Sequence, residues 1–201
     1  MISAIVLAAG ESRRMGRAKQ LLEWEGKSLL DRVLENLQGS RVDEVILVLG
    51  HEAEEIRKKV DTCGARVVIN NGYKEGMITS IHQGLKVLSE KAEAFFIVLA
   101  DQPGIGPEIF NRLISEWQKT IPLRKIILPT YRGRRGHPAL FSVKYREEAL
   151  RLKGEVGLRQ ILLEHPEDIV TVELNAASIL QDIDTPEDYR QLKSKSPGQE
   201  P

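Results

Sequence analysis

The stretch Leu7-Ala8-Ala9-Gly10-Glu11-Ser12-Arg13-Arg14-Met15-Gly16-Arg17-Ala18-Lys19 sets small residues among fixed cations directly after an apolar run. Small residues let backbone approach an anion, consecutive N–H groups form a nest for it, and Arg or Lys adds charge-assisted bonds. That combination suits a triphosphate, although glycine and charge alone fit a solvated surface turn about as well. Two commoner phosphate loops are excluded by spacing. Five residues separate Gly10 from Gly16 and Arg17 follows, whereas a P-loop is one residue shorter there and continues with Lys. Ser12 stands where the dinucleotide pattern GxGxxG needs its second glycine.

Carboxylates form the second constellation. Asp101 follows the apolar run Phe95-Phe96-Ile97-Val98-Leu99-Ala100, and Gln102-Pro103 ends that run. A carboxylate at a strand end is placed to hold magnesium, which takes one or two protein carboxylates beside water and phosphate oxygens. The bland reading, a helix cap, fits less well because the next helix start, Gly106-Pro107, lies several residues on. Asp182 and Asp184 alternate in Gln181-Asp182-Ile183-Asp184-Thr185-Pro186-Glu187-Asp188-Tyr189, so on extended backbone they share a face. Either could complete a metal site with Asp101. Asp182, Glu187 and Asp188 are also ordinary acidic complements of a helix N-terminus.

Other segments carry weaker signals. Asn70-Asn71-Gly72-Tyr73-Lys74-Glu75-Gly76-Met77-Ile78-Thr79-Ser80 links a strand to a helix, and on its own it reads as a helix start. Arg132-Gly133-Arg134-Arg135-Gly136-His137-Pro138 could grip an acidic ligand, since arginine forks match phosphate and carboxylate, or could be a solvated cationic loop. His51, His82, His137 and His165 show no i, i+4 pair of the kind that binds zinc on a helix. They, Met77, Trp24 and Trp117 are assigned packing or surface roles by default.

The elements that must position these groups follow from periodicity. Short β-branched runs alternate with helical stretches, the pattern of an α/β fold with a Rossmann-like, mostly parallel sheet and helices on both faces. Strands are expected over 2–7, 44–49, 66–69, 94–99, 125–129 and 169–173, and helices over 28–38, 52–60, 77–88, 107–119, 156–165 and 186–193. Residues 130–141 are expected as a loop or irregular hairpin, and 194–201 as a flexible tail beyond one domain spanning 1–193. In such sheets ligands bind beyond the carboxyl ends of strands, where strand order reverses. Composition agrees with one sizeable core: 201 residues, 41% hydrophobic. Lys plus Arg and Asp plus Glu each total 29, which supplies no global field for nucleic acid or an anionic membrane. The lone Cys63 cannot form an intramolecular disulfide, and the apolar N-terminus lacks a basic leader and cleavage site, so a cytoplasmic setting is expected. No apolar run reaches the roughly 18 residues of a membrane span.

The segment 7–19 resembles the LAAGxSxRMGxxK signature of the MobA-like nucleotidyltransferases at every defined position, and Leu99-Ala100-Asp101-Gln102-Pro103 and the 182–189 segment resemble that family's second and last motifs. The similarity runs to about Leu192 and is strongest to the molybdenum cofactor cytidylyltransferase branch, whereas the guanylyl branch usually has LAGG and GDMP. The resemblance implies the nucleotide-diphospho-sugar transferase fold, CTP as donor, Mg2+ as cofactor, and transfer of CMP to a molybdopterin-type phosphate with release of pyrophosphate. It implies catalytic roles for Arg13, Lys19, Asp101 and Asp184, with the metal on Asp101 and Asp184. Nucleotide contacts fall on Leu7, Ala8, Ala9, Gly10, Ser12, Arg13, Gly16, Lys19, Gly76, Ser80 and Asp101, and acceptor contacts on Gln102, Pro103, Arg135, Gly136, His137 and Pro138. A monomer is expected, with a client molybdoenzyme or its chaperone as the macromolecular partner, no nucleic acid and no membrane. Glu155 and Leu158 depart from the family's GDxGAR-like segment, which leaves 154–159 without a role. Alternatives carried are a guanylyl- or sugar-phosphate nucleotidyltransferase on the same fold, and a non-catalytic nucleotide-binding chaperone.

Overall fold

A computed structural model describes residues 1–123, 125–154 and 156–194. Its centre is a parallel run of strands: β1 (Ile2–Ala8) pairs in parallel with β4 (Glu44–Leu49) on one side and β6 (Ala94–Leu99) on the other, and β5 (Arg66–Ile69) extends beyond β4. A short hairpin of β2 (Glu23–Trp24) and β3 (Lys27–Ser28) stands outside the main sheet. The main sheet continues past β6 through β9 (Ala139–Ser142), which is antiparallel to both β6 and β7 (Ile126–Tyr131), and ends at β10 (Ile169–Glu173), parallel to β7. Strand order reverses between β1 and β6, so the segments after these two strands face each other at the sheet's carboxyl edge.

Alternation along the strands splits the core into two layers. Ala4, Val6, Ala8, Phe96 and Val98 pack on one face with α1 (Leu29–Gln38), α2 (Ala53–Lys59) and α4 (Pro107–Lys119). Ile5, Ile46, Val48, Phe95 and Ile97 face α3 (Met77–Lys86), α5 (Arg146–Arg151) and α6 (Arg159–Glu164). A third cluster of Leu22, Trp24, Leu29 and Ile183, joined by Met15, Tyr189 and Leu192, fastens α7 (Pro186–Lys193) to the β2–β3 hairpin. Trp24 and Trp117 are core residues, as expected. Helix starts obey local chemistry: Ser28 with Asp31 and Thr185 with Asp188 form reciprocal capping boxes, and Pro186 occupies the first turn of α7.

Two expectations are corrected. Residues 130–141, expected as a loop or irregular hairpin, form a regular hairpin between β7 and β8 (Arg134–Arg135), turning through Arg132 and Gly133 at φ 51 and 73, and then continue as strand β9. Two successive positive φ angles give the turn a twist that matches the flanking strands. The helix expected over 156–165 is shorter, and α5 precedes it. Glu155 and most of the expected tail, 195–201, lie outside the described residues.

Asp168 ties β7 to the segment around α5. Its carboxylate accepts from Lys125 Nζ at 2.8 Å, Lys144 Nζ at 2.7 Å and the Tyr145 hydroxyl. Those bonds hold its carboxyl well below the usual carboxylate range. A depressed folded pKa contributes stability that is present above the unfolded value, about 4, and is lost as pH falls through the folded one. Asp168→Asn is therefore expected to cost about 1–3 kcal/mol at pH 7, with the deficit narrowing steadily below about pH 4. Urea melts of both proteins at pH 7 and pH 2.5 check this, and a deficit that stays constant would refute it.

Candidate active site

At the reversal point the loop after β1 meets the segment after β6. Loop residue Ser12 adopts a left-handed conformation, φ 53 and ψ 36, and its Oγ accepts from the Lys19 backbone N–H at 3.1 Å, pinning the two ends of the loop together. Gly16 also needs a positive φ, 67, which a side chain would strain. Among the described residues, the N–H groups of Gly10, Glu11 and Ser12 make no hydrogen bond, so the loop presents unused donors. Leu7 and Ala8 belong to β1, whose ladder to β4 and β6 fixes where the loop begins.

Lys19 projects from the loop's end between two carboxylates: Nζ lies 2.5 Å from Asp101 Oδ2 and 2.9 Å from Asp184 Oδ1. Burial works against the Lys19 charge, but Asp101 and Asp184 outweigh it and raise its pKa above the ordinary lysine value. Burial likewise pushes Asp101 up, with Lys19 opposing. For Asp184 the balance reverses: burial is outweighed by Lys19 and Arg14, and the carboxyl falls below its ordinary value. Ile183 donates its backbone N–H to the Asp101 carbonyl at 3.1 Å, which brings the C-terminal segment and Asp184 to the end of β6.

The second oxygen of Asp101, Oδ1, is buried with no partner among the described residues. An unsatisfied buried carboxylate oxygen is costly and invites a cation. Two carboxylates with hard oxygens fit a divalent ion such as magnesium, so the donor set agrees with the expected metal on Asp101 and Asp184.

Arginine placement differs from the expectation. Arg13 ion-pairs with Glu11 at 2.7 Å and its side chain is 78% exposed, whereas its neighbour Arg14 reaches Asp184 Oδ2 at 2.8 Å. The signature itself could have identified Arg14, because its defined arginine aligns there.

On the side toward β7, Gln102 is buried and donates Nε2 to Asp182 Oδ1 at 2.5 Å, while its Oε1 has no partner among the described residues. Asp182, one of the two alternating carboxylates, is thereby engaged with Gln102, and Asp184 is the one that meets Lys19. His137 donates its backbone N–H to the Ile179 carbonyl at 2.9 Å, and its Nδ1 is buried without a partner among the described residues. Burial lowers the His137 pKa, against the pull of Asp182 and Asp101, which favours the neutral ring. Gly136 is sterically required: a Cβ there would lie 2.3 Å from the Ile179 carbonyl oxygen. Pro103 and Pro138 are buried beside these residues, and Arg135 is exposed on β8.

On the β5 side, Gly76 caps α3 at φ 111 with open space around it. Ser80 is 5% exposed, and its Oγ accepts from Asn70 Nδ2 at 2.9 Å, so the hydroxyl braces the Asn70 turn. Ala9 is buried too. A Cβ on Gly50 would come within 2.9 Å of both the Ala9 and Tyr73 Cβ atoms, so the space at residue 50 is left for glycine alone. The structure therefore brings Lys19, Arg14, Asp101, Asp184, Gln102, Asp182 and His137 together, and sets Ala9, Gly76 and Ser80 on the other flank of the loop.

A family model described as the MobA-like NTP transferase domain matches residues 4–169. The molybdenum cofactor cytidylyltransferase of Escherichia coli (strain K12) is 31% identical over 197 residues, 96% of each chain. The nicotine blue oxidoreductase of Paenarthrobacter nicotinovorans is 27% identical over 200 residues, 95% of this chain and 96% of that one. Among solved structures, Rv0371c from Mycobacterium tuberculosis H37Rv matches with a TM-score of 0.86 at 29% identity, covering 96% of this chain and 97% of that one. Its manganese complex matches with a TM-score of 0.79 at 27% identity, covering 97% and 99%. With most of its length matched by the family model and a relative above 30% identity along nearly all of it, the chain belongs to the MobA-like NTP transferase family.

Proposed function

We propose that the chain transfers CMP from CTP to the terminal phosphate of a molybdopterin-type acceptor, releasing pyrophosphate. The observation that carries this reading is the Lys19 ammonium seated between Asp101 and Asp184 at the mouth of a loop with unused N–H donors. The loop's N–H groups and the Lys19 ammonium bind the triphosphate, and Arg14 is close enough to add charge to the same anion. Asp101 and Asp184 would hold a divalent ion, magnesium by preference, which when bound neutralises the triphosphate and makes the α-phosphorus more electrophilic. The manganese complex of the mycobacterial relative supports that class of metal.

A phosphate monoester has its second pKa near 6, so the acceptor attacks as a dianion and needs no general base. Direct in-line displacement at the α-phosphorus is the simplest step, without a covalent enzyme intermediate. Positioning then dominates: Gln102, His137 and the Arg134–Arg135 strand face the acceptor, and a neutral His137 ring offers one donor and one acceptor for it. A hydride-transfer reading, suggested by the oxidoreductase among the relatives, lacks support in the loop, where Ser12 breaks the dinucleotide glycine pattern. We read residues 1–193 as one catalytic domain acting as a monomer in the cytoplasm.

CTP is the donor of choice in this reading, because Ala9 adds a methyl where the guanylyl branch has glycine, and a larger base would be crowded there. A difference of one methyl is worth about 1–3 kcal/mol, or roughly 10- to 200-fold. CTP should exceed GTP in kcat/KM by that factor, and Ala9→Gly should narrow the ratio. The test is transfer from each of four α-labelled nucleoside triphosphates to molybdopterin, with and without bound metal. A GTP preference would reassign the chain to guanylyl transfer, and no label transfer from any nucleotide would favour the non-catalytic chaperone.

A further inference from the structure

Gln20 follows Lys19 on the short turn Lys19–Leu21 and is 2% exposed, an unusual place for a carboxamide. Its bonds explain the burial. Nε2 donates to the Ala8 carbonyl at 2.8 Å and to the Gly10 carbonyl at 3.3 Å, and Oε1 accepts from Ser12 Oγ at 3.4 Å. Ser12 Oγ in turn accepts from the Lys19 N–H, so one buried side chain touches the loop at three points and adjoins the root of the lysine.

The geometry has a directional consequence. In a planar trans peptide the C=O of one residue and the N–H of the next point in opposite directions. Drawing the Ala8 and Gly10 carbonyls onto Gln20 turns the Ala9 and Glu11 N–H groups to the side away from Gln20. The N–H of Glu11 is one of the donors left unused among the described residues.

We propose that Gln20 is the positioning residue of the nucleotide loop: its carboxamide sets the peptide orientations that aim the loop's N–H groups, and it anchors Ser12 and Lys19, at the triphosphate. The inference rests on the reading that residues 8–19 hold the triphosphate. Gln20 touches no substrate itself. An apolar thioether of about the same length fills its space without fixing the carbonyls, so Gln20→Met removes orientation and keeps packing.

The experiment uses the full chain with CTP and Mg2+, without acceptor, in titration calorimetry, together with steady-state transfer kinetics. Gln20→Met is expected to weaken CTP binding at least tenfold and to raise the KM for CTP, while the KM for the acceptor stays within twofold and melting moves only slightly. Gln20→Glu supplies the second readout. Burial raises the pKa of the introduced carboxyl, and its protonated form donates one O–H to the Ala8 carbonyl, so CTP affinity should recover between pH 8 and pH 6 more than in the native chain. CTP binding by Gln20→Met equal to the native value would overturn the proposal. So would parallel loss of CTP affinity, acceptor affinity and melting temperature, the mark of an ordinary core residue. A native chain that binds no nucleoside triphosphate would instead remove the loop reading, and Gln20's role with it.

Discussion

Asp101→Asn is expected to lower the rate of nucleotidyl transfer by about a thousandfold or more, the scale on which charge stabilisation at a reacting phosphate contributes, while leaving the fold intact. The side chain is mostly buried, and its Oδ1 has no partner among the described residues. Asparagine keeps the shape and one oxygen for Lys19, but it offers an amide N–H or a neutral carbonyl where a cation should sit. Stability should change little for two opposing reasons. The Lys19 pair is weakened, yet the ammonium retains Asp184 at 2.9 Å, and the desolvation penalty that pushes Asp101 up disappears. Asp184→Asn should be nearly as damaging to transfer, and it also leaves Arg14 without its carboxylate. Near-normal turnover of either variant at saturating magnesium would dispose of a shared metal site, and a collapse in melting temperature would make Asp101 a structural residue.

The sequence carried the frame because strands and helices here are long and strongly periodic. β4, β5, β6 and β10 and the helices α4 and α7 coincide with the segments marked by β-branched runs, glycines and Thr-Pro. What escaped were elements whose identity is set by tertiary partners. β9 (Ala139–Ser142) follows directly on the Gly136-His137-Pro138 break and becomes a strand by pairing antiparallel with β6 and β7 on either side. α5 is six residues of mostly polar sequence, made helical by burying Ala149 against the α3 layer.

The same distinction governs the site. Lys19, Asp101 and Asp184 were legible as residue types at strand ends, but their convergence depends on the Ile183–Asp101 bond and on the cluster around Ile183, which join residues distant in sequence. The choice between Arg13 and Arg14 was not a matter of type at all. Both are arginines on one short turn, and the turn's geometry sends one to Glu11 and the other to Asp184. Gln20 was invisible for a related reason. A glutamine has no preferred role, and only its burial among backbone carbonyls gives it one.

Lys19→Met is expected to separate two functions that the ammonium performs in turn. Without nucleotide, Lys19 occupies the space between Asp101 and Asp184 as an internal counter-ion, so it competes with any divalent ion for the same carboxylates. Removing it leaves a buried carboxylate without its cation, and Mn2+ should bind the nucleotide-free variant at least tenfold more tightly than the native chain. With CTP present, the missing charge should instead depress kcat by about 100- to 1000-fold, because Arg14, the loop cation beside it, pairs with Asp184 and not with Asp101. Lys19→Arg should restore little, since a planar fork cannot occupy a gap fitted to a compact ammonium. The direction of the Lys19 pKa adds a further constraint. In the nucleotide-free chain the raised value keeps the group charged through pH 9, and with CTP bound the triphosphate favours the same charged form, so its contribution to kcat should be flat between pH 7 and pH 9 and should not resemble a general base. Electron paramagnetic resonance of Mn2+ titrated with and without CTP reads the first effect, and transfer rates across pH read the second. Unchanged Mn2+ affinity in the nucleotide-free variant would mean that the ammonium and the metal occupy different positions, and the exchange between them would have to be abandoned.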